Sequence, residues 1–236
     1  MKEKPIFFSE EMVLAVLAGR KTQTRRPVKF KFRHGQGDTS TLQVGNYCTG
    51  HPRSGFVLRG GAGGCWKDVT HPLQCPYGNK GERLWVRETW SDVNYDGAEA
   101  IAYRADSEVK LLANDSTFLD DAGVFNPHDQ RLAKLHFGNW YEDLIAGTEG
   151  RWRPSIHMPR WASRIQLEIT NVRIERLKHV PREGVLAEGY PIERQEWANE
   201  YDPFIWFKDL WGSIYGDKHW DTNPWVWVVE FKQITK

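Results

Sequence analysis

The 236-residue sequence predicts an α+β fold in which short helices flank a mixed or antiparallel, barrel-like β-sheet. Segments with the apolar–polar alternation of half-buried strands are scattered along the chain. Few stretches between them have the periodicity of the crossover helices that parallel strands need. The sequence also shows no internal repeat and no coiled-coil heptad. We therefore expect a single domain over residues 1–236 rather than a doubly wound sheet.

Framework elements are expected in five places along the chain. They are a strand followed by a helix over 5–18, strands over 83–90, 163–177 and 224–234, and a helix over 204–214. The third of these segments alternates regularly except for a phase break near Asn171, which indicates a bulge or a turn. The last strand is rich in Val and Trp, which are residue types enriched in sheets.

Two insertions, at about 28–80 and 91–150, separate these elements and are expected to be loop-rich. The first holds much of the glycine, including four glycines between Arg59 and Gly64, and one strand is expected near 42–48. The second is acidic and polar. Both insertions are expected to project from the compact framework.

Charge and hydropathy restrict the class of protein. Lys and Arg number 32 against 31 Asp and Glu, so any basic site must be local, which suits a pocket better than a long nucleic-acid groove. Mean hydropathy is −0.62 and no long apolar run is present, so we expect no membrane-spanning helix and no membrane partner. Because the N-terminus has no signal-peptide core and the three cysteines are an odd number, we expect a cytoplasmic protein.

Residues 19–26, Gly-Arg-Lys-Thr-Gln-Thr-Arg-Arg, are the most informative segment. They follow the apolar face of the first helix, and Gly19 suits the positive φ that often ends a helix. Four cations and two hydroxyls come in the next seven residues. Such a cluster either binds an anion or places a lysine close enough to a hydroxyl to activate it.

The pattern Gly19-x-Lys21-x-x-Thr24-x-Arg26 resembles the signature of the ASCH family, whose fold is similar to the RNA-binding PUA domain. Most members of that family have Glu where this chain has Thr24. Small bacterial members with Thr there are amidohydrolases that remove the acetyl group from N4-acetylcytidine. The resemblance covers 5–26, 81–90 and 152–234, and it implies a PUA-like mixed β-pseudobarrel.

Two further runs, Cys75 to Trp90 and Trp152 to Arg164, look like the longer ASCH proteins of bacteriophages and prophages. This similarity bears on the fold more than on the function.

The resemblance to the amidohydrolases implies a Lys-Thr-Glu site. Thr24 would be the nucleophile, Lys21 the base and Glu188 the acid or polarising group, with Glu183 as a nearby alternative. Lys21 can act as a base only if burial or neighbouring cations lower its pKa from about 10.4. The implied substrate is a modified pyrimidine nucleoside or nucleotide, such as N4-acylcytidine, and this mechanism requires no cofactor or metal.

The same cluster has a second interpretation, which is RNA or single-stranded nucleic-acid binding, or ribonuclease activity, without amidohydrolase activity. Arginines would contact phosphates and aromatic side chains would stack on bases. The candidate binding residues for either function are Arg25, Arg26, Trp85, Arg87, Glu88, Arg160, Trp161 and Arg164. Ordinary surface contacts between arginines and aromatic rings remain the structural alternative.

A structural zinc site is an alternative interpretation of the residues Cys48, His51, Cys65, His71 and Cys75. Thiolate and imidazole ligands suit tetrahedral zinc. The sequence has no Cys-x-x-Cys pair, however, and the simpler interpretation is three reduced thiols.

Overall fold

The computed structural model describes residues 2–34, 41–47, 55–62, 65–194, 199 and 201–234. Its strands are β1 (Glu3–Phe7), β2 (Gln23–Pro27), β3 (Gln43–Tyr47), β4 (Gly55–Ala62), β5 (Cys65–Asp68), β6 (Arg83–Arg87), β7 (Trp90–Tyr95), β8 (Ala98–Tyr103), β9 (Val109–Leu111), β10 (Gln166–Arg176) and β11 (Trp225–Gln233). Its α-helices are α1 (Glu10–Leu17), α2 (Tyr141–Ala146), α3 (Arg182–Leu186), α4 (Asp202–Tyr215) and α5 (Asp217–Asp221). No helix in the described part of the chain is both long and apolar enough to cross a membrane.

The largest sheet has five strands in the order β1-β6-β10-β11-β2. β11 pairs antiparallel with both of its neighbours, β10 and β2. The register of β10 against β11 shifts between Ile169 and Asn171, which confirms the irregularity predicted near Asn171. Within the described ranges the sheets are open, so the α+β class is confirmed and the PUA-like pseudobarrel stays a prediction.

The chain divides into two compact units. The first comprises Met1–Lys4, Ala18–Leu84 and Leu167–Lys236, and the second comprises Pro5–Leu17 and Trp85–Gln166. The expected single domain over 1–236 stays a prediction.

The core of the first unit that matters for the candidate site lies between β11, α3 and α4. Val226 and Val228 of β11, Val185 of α3, and Phe207 and Trp211 of α4 belong to one buried cluster. Each such side chain contributes about 1.5–3 kcal/mol when it is fully buried. This packing fixes α3 against one face of the sheet.

The expectation that residues 28–80 are loop-rich with one strand was wrong in part, because the described residues of this insertion contain three strands. The strand expected near 42–48 is present as β3, but it continues into a three-stranded antiparallel sheet with the order β3-β4-β5. Gly60 and Gly61 take part in the β4–β5 ladder, opposite Lys67 and Trp66. Ladder bonds are made by the backbone, so a glycine-rich run can weaken a strand without abolishing it.

The expectation of a loop-rich second insertion was also wrong in part. β7, β8 and β9 form a three-stranded antiparallel sheet with its own buried cluster around Val93, Ala100 and Leu144. Some of the acidic residues of this insertion stabilise its fold through hydrogen bonds. Asp92, for example, accepts hydrogen bonds from the backbone N–H of His136 and from the Arg153 guanidinium.

Candidate functional site

The chain around Lys21 is held beside the end of α3 by backbone hydrogen bonds. Gly19 has φ +70, as expected for the residue that ends the preceding helix. The N–H groups of Thr22 and Gln23 both donate to the Ala187 carbonyl, at 2.9 and 3.2 Å. Lys21 and Glu188 then form an isolated antiparallel bridge. Two residues that are 167 positions apart in the sequence are thereby placed side by side.

Lys21 and Glu188 form a buried ion pair. The Lys21 ammonium lies 2.9 Å from Glu188 Oε2 and also donates to the Glu188 backbone carbonyl at 2.8 Å. The two side chains are 0% and 3% exposed. Glu188 follows the short helix α3, and its side chain is buried. Glu183, the alternative, is exposed.

Arg25 extends this ion pair into a network of four charged side chains. It donates to Glu188 Oε1 at 3.0 Å and, through Nε and Nη2, to Glu175 Oε1 at 2.9 and 2.6 Å. The side chain of Arg25 is 0% exposed, and that of Glu175 is 19% exposed. We call Lys21, Arg25, Glu175 and Glu188 the Lys21 cluster. It contains two cations and two carboxylates, so its formal charge is balanced.

Gly184 in α3 allows the cluster to close. A Cβ at this position would lie 3.0 Å from Arg25 Nη2 and 3.2 Å from Gln23 Nε2. The Gly184 carbonyl accepts hydrogen bonds from Gln23 Nε2 at 2.5 Å and Arg25 Nη1 at 3.3 Å. A larger residue would therefore displace the ends of these two side chains by a few tenths of an ångström.

Burial lowers the pKa of Lys21, as the proposed base role requires. Removal of the ammonium from water is the main cause, and the ion pair and hydrogen bond with Glu188 oppose it. The positive charges of Arg26 and Arg25 lower the pKa further. Arg20, the cation that precedes Lys21 in the sequence, donates to the carbonyls of Gly189 and Tyr190.

Thr24 is buried but does not join the Lys21–Glu188 pair. Gln23 and Arg25 both reach the Gly184 carbonyl, and successive side chains of a strand point to opposite faces. Thr24 therefore lies on the other face of β2, where it pairs in register with Val229. Its hydroxyl makes no hydrogen bond to any residue that the structure describes.

The arginines predicted to bind nucleic acid differ in their surroundings. Arg25 is buried in the Lys21 cluster, as described above. Arg26 is half-buried and donates to the Tyr215 hydroxyl at 3.4 Å. Arg87 packs over the rings of Trp85 and Phe7, with Cζ 4.6 and 5.4 Å from their centroids. Because Trp85 is only 7% exposed, its indole offers little surface for stacking on a base.

Two further candidate binding residues, Arg160 and Trp161, also lie close to aromatic rings. The guanidinium of Arg160 is 5.9 Å from the Trp85 ring centroid. Trp161 is half-buried and makes an edge contact with Phe118, with ring centroids 5.1 Å apart. Contacts of this kind are typical of side chains at the edge of a hydrophobic core.

Arg164 and Glu88 belong to a second charged network, in the second unit. The Arg164 guanidinium donates to both oxygens of Glu88, at 2.9 and 2.8 Å, to Asp106 at 2.8 and 2.9 Å, and to Glu108. We call these four residues the Arg164 cluster. Burial raises the pKa of Glu88, which is 1% exposed, and the adjacent Arg164 opposes this shift.

Part of the zinc hypothesis falls on residues outside the described ranges. These are Cys48 and His51, and the side chain of Cys65 also lies outside the description. His71 is exposed and Cys75 is buried, where burial raises the pKa of its thiol. Among the described residues, no three His, Cys, Asp or Glu side chains are grouped as metal ligands.

Sequence reasoning missed Glu175 and Gln23 as members of the site. Glu175 lies on β10, 150 positions from Arg25. The available signal was the alternation of β10, which places Arg173 and Glu175 on the same face of the strand. Comparisons with models of protein families, with curated proteins and with solved structures found no match.

Proposed function

We propose that this protein is a hydrolase that removes the acyl group from the N4 amine of a modified cytidine nucleoside or nucleotide. A PUA-like pseudobarrel of the ASCH type would be its fold. The observation that carries the proposal is the fully buried Lys21 ammonium, 2.9 Å from Glu188, within the Gly19-to-Arg26 motif. A lysine whose pKa is lowered by burial is the kind of group that can accept a proton near neutral pH.

In this reaction, neutral Lys21 takes the proton of the Thr24 hydroxyl as its oxygen attacks the acyl carbon. The carbon–nitrogen bond breaks, and the leaving N4 amine receives that proton from Lys21. Water then hydrolyses the acyl-threonine, which releases a carboxylic acid and restores the hydroxyl. Glu188 orients Lys21 throughout. The step requires a rearrangement of β2 around Thr24 in the substrate complex, because the Thr24 side chain lies on the opposite face of this strand from those of Gln23 and Arg25.

The test is hydrolysis of N4-acetylcytidine, with cytidine and acetate measured as products. Lys21→Met and Thr24→Val are expected to lower kcat about 10²–10⁴-fold, the usual contribution of acid–base catalysis. Thr22→Val is the matched control, because Thr22 is exposed and lies in the same segment. Circular dichroism and Tm establish that each variant is folded. Wild-type turnover in folded Lys21→Met and Thr24→Val would exclude the proposal.

The nucleic-acid-binding alternative has less support. Arg25 and Arg164 are engaged by carboxylates and are 0% and 11% exposed, so neither presents a guanidinium to a phosphate. No contact in the described part of the chain favours that function over the hydrolase.

A further inference from the structure

A cleft in the second unit has the size of a small-molecule site. Its volume is about 460 Å³, within the range of about 300–1,000 Å³ found for ligand pockets. Its lining includes Tyr95 of β7, Tyr141 of α2 and the five consecutive residues from Ser107 to Leu111. Successive side chains of a strand point to opposite faces. A cleft lined by consecutive residues therefore borders the backbone edge of β9 as well as its side chains.

Two tyrosine rings form an aromatic corner of this cleft. The ring centroids of Tyr95 and Tyr141 are 5.3 Å apart, and the ring planes make an angle of 70°. Both residues are half-buried. The Tyr141 hydroxyl donates to the Ser107 carbonyl at 2.7 Å, which fixes the position of its ring. The faces of aromatic rings attract cations, and cages of such rings bind ammonium ligands in proteins.

The outer edge of β9 adds backbone acceptors to the cleft. The Tyr103 backbone N–H donates to the Glu108 carbonyl at 2.9 Å, so these two residues form a hydrogen-bonded pair between β8 and β9. Such pairs alternate along an antiparallel ladder, so Val109 and Leu111 direct their carbonyls away from β8. Neither carbonyl accepts a hydrogen bond from any residue that the structure describes. Both can therefore accept from an N–H group of a ligand.

A carboxylate without a full set of partners lies in the lining. The side chain of Glu108 is 63% exposed. Its Oε2 accepts from Arg164, whereas its Oε1 accepts no hydrogen bond in the described part of the chain. Lys110, a cation in the same lining, already donates to Asp115 at 2.6 Å. The charge that the lining can offer to a ligand is therefore negative.

The surroundings of the Tyr141 hydroxyl agree with a negative potential in the cleft. Burial is the main cause that raises the pKa of Tyr141, followed by the neighbouring Tyr95. The carboxylates of Glu142 and Asp106 raise this pKa further, because they disfavour a second negative charge. The same charges favour a cationic ligand over a neutral or anionic one.

We propose that this cleft binds a protonated amine on an apolar stem, the group that a lysine side chain and a polyamine share. The ammonium group lies against Tyr95 and Tyr141, donates to the unpaired carbonyls of β9 and is balanced by Glu108. The stem packs against Val109 and Leu111, which are partly buried apolar side chains beside Tyr95 and Tyr141. The cleft belongs to the second unit and Lys21 to the first, so the inference does not depend on the hydrolase proposal.

NMR titration of isotope-labelled protein with n-pentylamine and n-pentanol tests the inference. The two probes have the same chain length, but the amine is charged at neutral pH and the alcohol is not. Pentylamine is expected to bind about tenfold more tightly, because the rings and Glu108 attract its charge. It is also expected to shift the backbone amide signals of β9. Equal affinities, no binding of the amine at millimolar concentrations, or shifts confined to residues outside the cleft would overturn the inference.

Variants locate the binding. Tyr95→Leu removes a ring and is expected to weaken pentylamine binding about tenfold, whereas Tyr95→Phe keeps the ring and is expected to bind as the wild type does. Glu108→Gln removes the charge at an exposed position and is expected to weaken pentylamine binding about two- to fivefold, so the inference stays testable if Tyr95→Leu fails to fold. Tyr201→Leu is the control, because Tyr201 is 69% exposed and lies in the first unit. Wild-type affinity for the amine in folded Tyr95→Leu, or in Glu108→Gln, would refute the inference.

Two further ligands identify the source of the amine. An alanine pentapeptide with a central lysine adds an extended backbone that can pair with the outer edge of β9, and the norleucine peptide lacks only its charge. If the lysine peptide binds more tightly than pentylamine and the norleucine peptide does not, the amine is supplied by a lysine side chain. If spermidine gains affinity over pentylamine and the lysine peptide does not, the ligand is a free polyamine. Binding of either ligand that Tyr95→Leu leaves unchanged would count against the cleft.

Discussion

The two charged networks, one in each unit, differ in their cations: the first contains a buried lysine beside an arginine, whereas the second contains a single arginine. The Lys21 cluster balances two cations against two carboxylates, whereas in the Arg164 cluster one arginine faces three carboxylates. Arginine keeps its proton in proteins, but a buried lysine can lose its own. The first network therefore contains a buried cation that can lose its proton, whereas the cation of the second network keeps its own.

Accessibility separates the two networks as well. Three members of the Lys21 cluster have side chains 3% exposed or less, so the removal of one charge leaves others unpaired and out of water. In the Arg164 cluster, Asp106 and Glu108 are 25% and 63% exposed. Solvent can therefore compensate for a missing partner in the second network but not in the first.

The largest expected effect follows from this difference. Glu188→Gln is expected to lower the free energy of unfolding by about 3–5 kcal/mol, because it leaves Lys21 and Arg25 buried without their shared carboxylate. Glu88→Gln is the matched change in the second network. It is expected to cost less than about 1.5 kcal/mol, because Arg164 keeps Asp106 and Glu108 and because burial already disfavours the ionised form of Glu88.

Urea denaturation of the three proteins measures both values, and it can contradict the comparison. A Glu88→Gln variant less stable than Glu188→Gln would mean that the Arg164 cluster is the more tightly coupled network. Equal losses would mean that exposure of Asp106 and Glu108 does not provide the expected compensation.

The pH dependence of stability is the next effect in size, and it has opposite signs in the two networks. The pKa of Lys21 in the folded protein is lowered from 10.5, so the unfolded chain binds more protons between the two values. Stability attributable to Lys21 therefore rises with pH in that window, by at most about 1.4 kcal/mol per pH unit. The difference in unfolding free energy between the wild type and Lys21→Met measures this contribution.

Glu88 should show the reverse trend in acid. Its pKa in the folded protein is raised from 4.5, so the folded state binds more protons just above that pH. Stability attributable to Glu88 therefore falls as the pH rises through this window, and the decline is absent in Glu88→Gln. A flat difference between wild type and variant in either window would contradict the corresponding pKa shift.

The sequence predicted the framework and one half of the candidate site. The apolar periodicity located the strands that became β10 and β11 and the helix that became α4, because periodicity is a property of neighbouring residues. The association of Lys21 with Glu188 was implied instead by the resemblance to the amidohydrolases.

The remaining features depend on contacts between distant residues. Arg25 resembled a phosphate-binding arginine because its partner Glu175 lies 150 positions away on β10. The sheets of the two insertions were missed because glycine and acidic residues usually mark loops. In β4 and β7 the backbone ladder and the ion pair between Asp92 and Arg153 outweigh that tendency.

The smallest effects compare two buried hydroxyls. Tyr103, whose ring packs under Arg164, donates to the Ala162 carbonyl at 2.7 Å, so Tyr103→Phe is expected to cost about 1 kcal/mol of stability. Thr24 has no such bond within the described ranges, so the isosteric Thr24→Val should change stability by less than about 0.5 kcal/mol.

Thermal unfolding of both variants, together with the N4-acetylcytidine assay, separates the two roles. Removal of a hydroxyl that acts only in catalysis leaves Tm unchanged. Removal of a hydroxyl that stabilises the fold lowers Tm. If Thr24→Val destabilises the protein as much as Tyr103→Phe does, then Thr24 serves the packing of β2 against β11. A loss of activity in Thr24→Val would then no longer indicate that Thr24 is the nucleophile.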